Sequence, residues 1–488
     1  MEAELEVYSI METILNYIDG ELVEPLSGKY FDNINPANGN MYGHIPDSDE
    51  SDVAMAVKAA ETAFHTWSKT SNQERFSWLM KLANSIQRNF EIYAQAETRD
   101  NGKPIALSRR VDIPRSISNL EFFATAAMQF SSESHFMQES GTVNYTLRTP
   151  IGVVGCISPW NLPLYLFTWK IAPALACGNC VIAKPSEITP FTAFLLSKSC
   201  IEINFPKGIL NIIHGFGNKV GNAIVMHEKI KAISFTGGTV TGKTIASIAA
   251  PMFKKLSLEL GGKNPILIFK DCDWEKMLQT TVHSSFSNQG QICLCGSRIL
   301  IEESVYEKFK QDFIARVLSL KVGNPLEEDT KVGAVVSKAH FNKILQAIDF
   351  ATKEGGKVLC GGHALKIKNH ENGYYIAPTV IENIPQNCIT NQEEIFGPVV
   401  TLQSFKNIEE AITLANDVRY GLAASVWTSD IDKSKRISQE LQCGIVWINT
   451  WLQRDLRTPF GGLKHSGVGR EGGMEAMRFF TEAKNVCY

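Results

Sequence analysis

At 488 residues the chain is longer than one hydrophobic core sustains, so at least two domains with room for a cleft between them are expected. A composition that is 44% hydrophobic and 20% charged excludes a disordered or fibrous protein, and a net charge of -3 excludes a global electrostatic surface for nucleic acid or anionic lipid. The 11 cysteines are scattered and odd in number, which fits free thiols in a reducing compartment better than a disulfide framework.

The N-terminal text, MEAELEVYSIMETILNYIDGEL, is acidic and lacks arginine, so it reads as neither a signal nor a transit peptide, and the protein reads as cytoplasmic. Residues 51–100 carry helical periodicity through Val53, Val57, Ala60, Phe64, Leu79, Leu82 and Ile86. Residues 141–148 are rich in β-formers. The apolar stretch 151–169 is interrupted by Pro159, Asn161 and Pro163 and predicts no membrane helix. From there short apolar runs at 153–157, 180–183, 209–213 and 232–235 alternate with helical text such as 166–177, which stops at Gly178 and Asn179. This rhythm predicts an open parallel α/β sheet that binds a nucleotide at the carboxyl ends of its strands. A second α/β segment starts near Asn264 with the run 266–269, continues through helical text at 305–318 and ends in a glycine-rich loop at 460–473.

Three motifs point elsewhere. GGTVTGKT at 237–244 matches the phosphate-binding pattern of nucleoside triphosphatases, and 266–271 can pass for the acidic magnesium strand, which makes a P-loop NTPase the distant alternative. GVGREG at 467–472 satisfies GxGxxG but follows a polar loop and reads as a tight turn. Cys177 and Cys180 form a CxxC spanning a helix stop and a strand, and read as buried, inert thiols.

The chemistry concentrates in three other places. FSNQGQICLCGSR at 286–298 sets Cys293 after a polar, glycine-containing turn; Glu259 lies in LELGGKNP at 258–265; Asn161 lies in SPWNLP at the end of a predicted strand. A thiolate, a carboxylate and an amide donor are the parts needed to oxidise an aldehyde through a covalent intermediate. The thiolate attacks the carbonyl, and the Asn161 amide and the Cys293 N–H stabilise the oxyanion. Transfer of hydride leaves a thioester, which water activated by Glu259 hydrolyses.

Together SPWNLP, KPSE, FTGG, LELGGKNP, FSNQGQICLCGSR, EEIFGPV and PFGGLKHSGVGREGG resemble, in order and spacing, the motifs of the NAD(P)-dependent aldehyde dehydrogenase superfamily over essentially the whole chain. The resemblance implies a Rossmann-type NAD-binding domain (1–130 and 151–261), an α/β catalytic domain (262–472) and a β-strand oligomerisation arm (131–150 and 473–488), assembled as a homodimer or homotetramer without a metal. It implies Cys293 as nucleophile, Glu259 as general base and Asn161 as oxyanion donor. For the cofactor, NAD, it implies Ile157, Ser158, Trp160, Lys184, Glu187, Gly217, Gly221, Phe235, Thr236, Gly237, Gly238, Gly242, Leu260, Glu394 and Phe396. Gly238 departs from the family text, in which serine commonly follows FTG and bonds a phosphate. Glu187 accepts bonds from ribose hydroxyls and repels a 2′-phosphate, which favours NAD over NADP; the blander reading is an acid at a helix N-terminus. Cys295 reads as a small pocket-wall residue.

A sharper resemblance is to the branch that oxidises 2-aminomuconic semialdehyde in tryptophan breakdown by the kynurenine route, also described as retinal dehydrogenase-like. It rests on DIPR at 112–115, SPWNLPLYLFTWKIAPA at 158–174, GQICLC at 290–295 and NTWLQRDL at 449–456. It implies that Arg115 and Arg454 face the substrate, and two guanidinium groups in an apolar pocket suit a carboxylate-bearing aldehyde. Retinal or a simple aliphatic aldehyde is the competing substrate. Arg457 carries no assigned role.

Overall fold

Apolar runs without polar alternation form strands buried on both faces. Val153–Ile157, Cys180–Lys184 and Leu210–Ile212 are buried at every position, and Ile230–Thr236 at every position but Lys231. With Lys255–Glu259 they pair in parallel, in the spatial order 255–259, 230–236, 153–157, 180–184, 210–212. Chain order therefore reverses on either side of Val153–Ile157. At such a switch point the crossovers leave in opposite directions and open a crevice at the carboxyl ends of the strands. The computed structural model describes residues 12–488, so residues 1–11, on which part of the N-terminal reading rests, lie outside the described residues.

Helices Glu50–Trp67, Asn72–Arg88, Ile113–Met128 and Pro163–Ala176 surround this sheet. The first opens with a capping box between Asp49 and Asp52, which satisfies two otherwise orphaned N–H groups. The last begins on Pro163, is buried at every residue but Tyr165, and stops before Gly178 at φ +86°. An antiparallel hairpin, Asn16–Ile18 with Glu21–Val23, closes one edge of the sheet, and Gly467–Val468 closes the other beside Leu258 and Glu259.

Only four residues separate Glu259 from Asn264–Ile268, a central strand of a second, seven-stranded sheet. All its pairings are parallel except that of the edge strand Lys357–Cys360. Its faces are covered by separate apolar cores, one around Phe286, Phe309 and Phe313, the other around Leu267, Leu300 and Val426.

Ser134–Met137, Thr142–Pro150 and Thr481–Cys487 form a third, antiparallel sheet in which only Thr481 is buried. Two stretches depart from the division expected from the text. Helix Gly473–Phe479 packs Ala476 and Met477 into the core of the first sheet, so the projecting sheet begins at Thr481. Gly467–Val468 joins the first sheet although it lies in the span assigned to the second domain; a two-residue strand has no periodicity by which to be read. Among the described residues no helix is long and apolar enough to cross a membrane.

Candidate active site

Two adjoining cavities, of about 230 and 280 Å³, share Pro159, Trp160, Thr236, Gly237 and Gly238 and run from the switch point to the junction of the two large sheets. Ile157, Ser158, Lys184, Glu187, Gly217, Gly221 and Phe235 line the outer one. Asn161, Leu260, Cys293, Glu394 and Phe396 line the inner one, with His340 and Lys343, which the sequence reading missed. Gly242 lines neither. A side chain there would strike Leu260, so its smallness serves helix packing.

The outer cavity is built to meet a polar ligand. Helix Thr239–Ala249 begins at Gly238 without a side-chain cap, which leaves its first-turn N–H groups available to an anion. The space around the missing Gly238 side chain is open, so serine would fit and its absence costs one donor. Ser158 Oγ and Thr236 Oγ1 are buried without a partner among the described residues. Glu187 is held by Lys184 Nζ at 2.9 Å and by the Gly217 N–H at 3.2 Å. Burial opposes its ionisation, yet Lys184 and the backbone N–H groups of Glu187 and Gly217 hold its carboxyl below the usual range. The helix after it starts only at Phe191, so Glu187 is not the helix N-terminal acid of the blander reading. The orphaned hydroxyls, the uncapped helix and the anchored carboxylate fit a dinucleotide.

They do not fit a triphosphate. Lys243 and Thr244 are exposed on the helix rather than looped around an anion, with Thr244 Oγ1 donating back to the Val240 carbonyl at 3.2 Å. Asp271 belongs to the other sheet's surroundings and is bound by Thr428 and Lys433.

The Cys293 loop follows three successive left-handed residues, Asn288 (φ 50°), Gln289 (57°) and Gly290 (71°). Asparagine and glycine adopt this conformation readily, glutamine less so. The Gln289 amide offsets that strain by donating to Ala334 O at 2.8 Å and accepting from Gly333 N at 3.1 Å, while Gln291 Oε1 accepts from Val336 N at 3.1 Å. Any side chain at Gly290 would strike the Gly397 carbonyl. Asn264 then ties the Cys293 and Cys295 carbonyls at 2.7 and 2.9 Å. Asn161 Nδ2 donates to Gln291 O at 2.9 Å, which uses one of its two hydrogens and leaves the other. Cys295 is buried, and its thiol lies 3.8 Å from the Ser287 carbonyl, in keeping with a wall residue. Burial first, then Glu394, Glu259 and Cys295, push the Cys293 thiol well above its ordinary range, against a smaller pull from Arg454.

Glu259 is 3% exposed, and neither of its carboxylate oxygens has a partner among the described residues. Burial, then the Glu471 carboxylate, push it well above the usual carboxylate range; Lys170, Arg454 and Arg470 oppose this. Lys170 is itself tied to Glu471 at 2.8 Å, and Ser234 Oγ donates to the same oxygen at 3.0 Å. This buried pair escaped the sequence reading, although a lysine inside the apolar helix 163–176 was a visible signal. Glu394 accepts from Gly262 N at 2.9 Å and is raised to about 7, chiefly by burial. It approaches so closely that a side chain at Gly261 would displace the Glu394 carboxylate.

Arg454 is sandwiched between Trp169 and Phe460, 4.1 and 3.9 Å from the ring centres. It donates one long bond, 3.4 Å, to Tyr165 Oη, and its Nε and Nη2 are buried without partners among the described residues. Arg115 lies near the ring of the same tyrosine, 5.9 Å from its centre, and no described carboxylate pairs with it. Arg457 instead points outward and pairs with Asp455 at 2.6 Å. Trp451 ties this loop to the thiol loop through a 2.9 Å bond from Nε1 to the Leu294 carbonyl.

Residues 22–486 match the model of the aldehyde dehydrogenase family. The chain is 48% identical over 482 residues to 2-aminomuconic semialdehyde dehydrogenase of Danio rerio, covering 98% of both chains. It is 46% identical over 474 residues to the Homo sapiens protein of the same name, covering 96% of this chain and 97% of that one. A solved NAD+ complex of an aldehyde dehydrogenase from Bacillus cereus superposes with a TM-score of 0.96 at 37% identity, covering 100% and 99% of the two chains. A thiol and an amide that line the inner cavity, with the buried Glu259 carboxylate lining neither cavity but acting on the thiol's charge, are thus set in a sequence and a fold that match along their whole length: the chain belongs to the aldehyde dehydrogenase family.

Proposed function

We propose that the protein oxidises a carboxylate-bearing semialdehyde of the 2-aminomuconic type to the acid, with NAD as cofactor. The observation that carries this reading is Arg454: a partly buried guanidinium stacked between Trp169 and Phe460, whose Nε and Nη2 are buried without partners among the described residues and whose charge opposes the raised proton affinities of Cys293 and Glu259. Buried donors of a cation left without an acceptor are costly, and a ligand carboxylate would relieve that cost through a paired, charge-assisted contact. Arg115, against the Tyr165 ring, supplies a second cation. The names of the two curated relatives support the same substrate class.

In this reading the Cys293 thiol gives up its proton to solvent and the thiolate attacks the aldehyde carbon, opening the C=O π bond, while the second N–H of Asn161 and the Cys293 backbone N–H meet the oxyanion. When bound along the walls named above, NAD supplies the hydride acceptor that turns the thiohemiacetal into a thioester. Glu259 takes a proton from the water that displaces the sulfur. Gln291 keeps Asn161 oriented, and Asn264 keeps the thiol loop at the cavity wall. The reading is tested by replacing each arginine with alanine. Because hydrogen bonds to charged groups contribute about 1.5–3 kcal/mol, kcat/KM for 2-hydroxymuconic semialdehyde, a stable mimic, is expected to fall roughly tenfold to a hundredfold, and kcat/KM for a simple alkyl aldehyde or retinal far less. Equal losses on both substrate types would remove the physical basis for a carboxylated substrate.

The exposed third sheet supports a homodimer or homotetramer. It displays Phe136 at 64% exposure together with Met137, Leu147 and Tyr488, more apolar surface than an isolated ribbon carries comfortably. Sedimentation as a single protomer would contradict this. The 11 unpaired cysteines support residence in the reducing cytoplasm.

A further inference from the structure

Three side-chain amides form a closed ring between the Asn161 loop and the thiol loop. Asn288 Nδ2 donates to the Asn161 carbonyl at 2.8 Å, Asn161 Nδ2 donates to the Gln291 carbonyl at 2.9 Å, and Gln291 Nε2 donates to the Asn288 carbonyl at 3.2 Å. Asn288 also reaches the Gln291 carbonyl at 3.3 Å. It is 1% exposed and lines neither cavity, so it touches no reacting atom. From the other side Asn101 Nδ2 and Thr189 Oγ1 hold the Trp160 carbonyl at 2.9 and 3.2 Å, so the Asn161 loop is clamped on both flanks. An amide has two hydrogens, and fixing one on Gln291 determines where the other points.

We propose that Asn288 is a positioning residue for the oxyanion donor: its amide locks the Asn161 loop to the loop carrying Cys293, so that the free Asn161 N–H and the Cys293 N–H converge on one point. This rests on the proposed role of Asn161. The residue type suits the task, because asparagine both accepts the left-handed backbone at φ 50° and carries the donor. Misplacing a preorganised donor by a fraction of an ångström weakens the stabilisation of developing charge without touching the nucleophile.

The test uses Asn288→Gly, which keeps the left-handed backbone and deletes the amide, and Asn288→Asp, which keeps shape and backbone preference but turns the donor into an acceptor. Acylation is followed with p-nitrophenyl acetate, an activated ester that a thiol opens without dinucleotide, and with the burst of reduced nicotinamide. Both variants are expected to slow acylation about tenfold or more, since loss of a whole oxyanion donor costs about 10²–10³-fold. Alkylation of Cys293 by iodoacetamide, which develops no oxyanion, is expected to stay within about twofold of the parent. In an Asn161→Ala background Asn288→Gly is expected to cost less than about twofold, because the group it positions is gone. Equal losses in both backgrounds, unchanged acylation in either variant, or parallel loss of alkylation would overturn the role of Asn288 alone. Full acylation by Asn161→Ala itself would overturn the oxyanion reading and this proposal with it.

Discussion

Glu187 and Glu259 both stand near the carboxyl ends of strands in one parallel sheet, yet their surroundings are opposite. Glu187 is anchored by Lys184 and the Gly217 N–H and is held ionised. Glu259 is more deeply buried, has no hydrogen-bond partner among the described residues and is pushed toward its neutral form by burial and by Glu471. A carboxylate whose charge is already neutralised by its own protein can recognise hydroxyls without exchanging protons. One left unpaired in a dry site is poised to take a proton when a water enters. The division holds for the charged groups and not for the hydroxyls, since Ser158 and Thr236 in the outer cavity are also without partners among the described residues. The anchored Glu187 carboxylate marks where the dinucleotide is to be recognised, and Glu259 and Arg454, without an ionic partner among the described residues, mark where chemistry and substrate charge are to arrive.

The strongest way to break this comparison is Glu259→Gln. If Glu259 is the base for hydrolysis, the variant is expected to release one reduced nicotinamide per site in a burst and then turn over about 10²–10⁴-fold more slowly. Cys293→Ala should show neither burst nor turnover while still binding dinucleotide, because the thiol acts on the aldehyde alone. Rapid-quench kinetics distinguishes them. A Glu259→Gln enzyme with no burst would mean that Glu259 is needed before the thioester forms, and its isolation would then serve the thiol.

Much of this site was legible in the sequence because its parts are local. Strands buried on both faces announce themselves as continuous apolar runs, and Asn161, Glu187, Glu259 and Cys293 each stand in compact text beside one. The rest depends on contacts between remote segments. Lys170 and Glu471 are 301 positions apart, and nothing in either neighbourhood names the other. Arg454 and Arg457 share one loop, and only their contacts show that the first stacks inward between Trp169 and Phe460 while the second pairs outward with Asp455. Gly242 sits inside a nucleotide-like motif but packs on Leu260, since a glycine in text does not declare whether a ligand or a neighbour needs its smallness. The GxGxxG at 467–472, read as a tight turn, instead opens with the edge strand Gly467–Val468, and the turn lies just before it at 465–466.

A subtler probe leaves Glu259 in place and alters what repels it. A base works deprotonated, so a carboxyl held above the usual range makes steady-state turnover rise with pH beyond the point where an ordinary glutamate would already be ionised. Glu471→Gln removes the repulsion and leaves the Lys170 cation facing Glu259. Both changes lower its proton affinity, and the rising limb is expected to move about one unit to lower pH. The pH profile of thioester hydrolysis, measured apart from the burst, reads this directly. A limb that stays put would show that burial alone tunes Glu259 and that the Lys170–Glu471 pair serves packing.

The smallest effect is expected at the anchored glutamate. In Glu187→Gln the side-chain carbonyl still accepts from a ribose hydroxyl and from the Gly217 N–H, so kcat/KM with NAD should change by no more than about threefold. NADP should gain more, because the substitution removes a negative charge from the place where a 2′-phosphate would lie and frees Lys184 Nζ, now 2.9 Å from Glu187, to meet that phosphate. The site is partly open to solvent, which screens both terms, so a narrowing of the NAD to NADP ratio by about tenfold is the scale to expect. Measuring the ratio at low and high ionic strength separates charge from shape: salt should shrink the parent's discrimination and leave the variant's nearly unchanged. If the ratio ignores both the substitution and the salt, discrimination comes from the walls of the outer cavity, and Glu187 serves only to hold Lys184 in place.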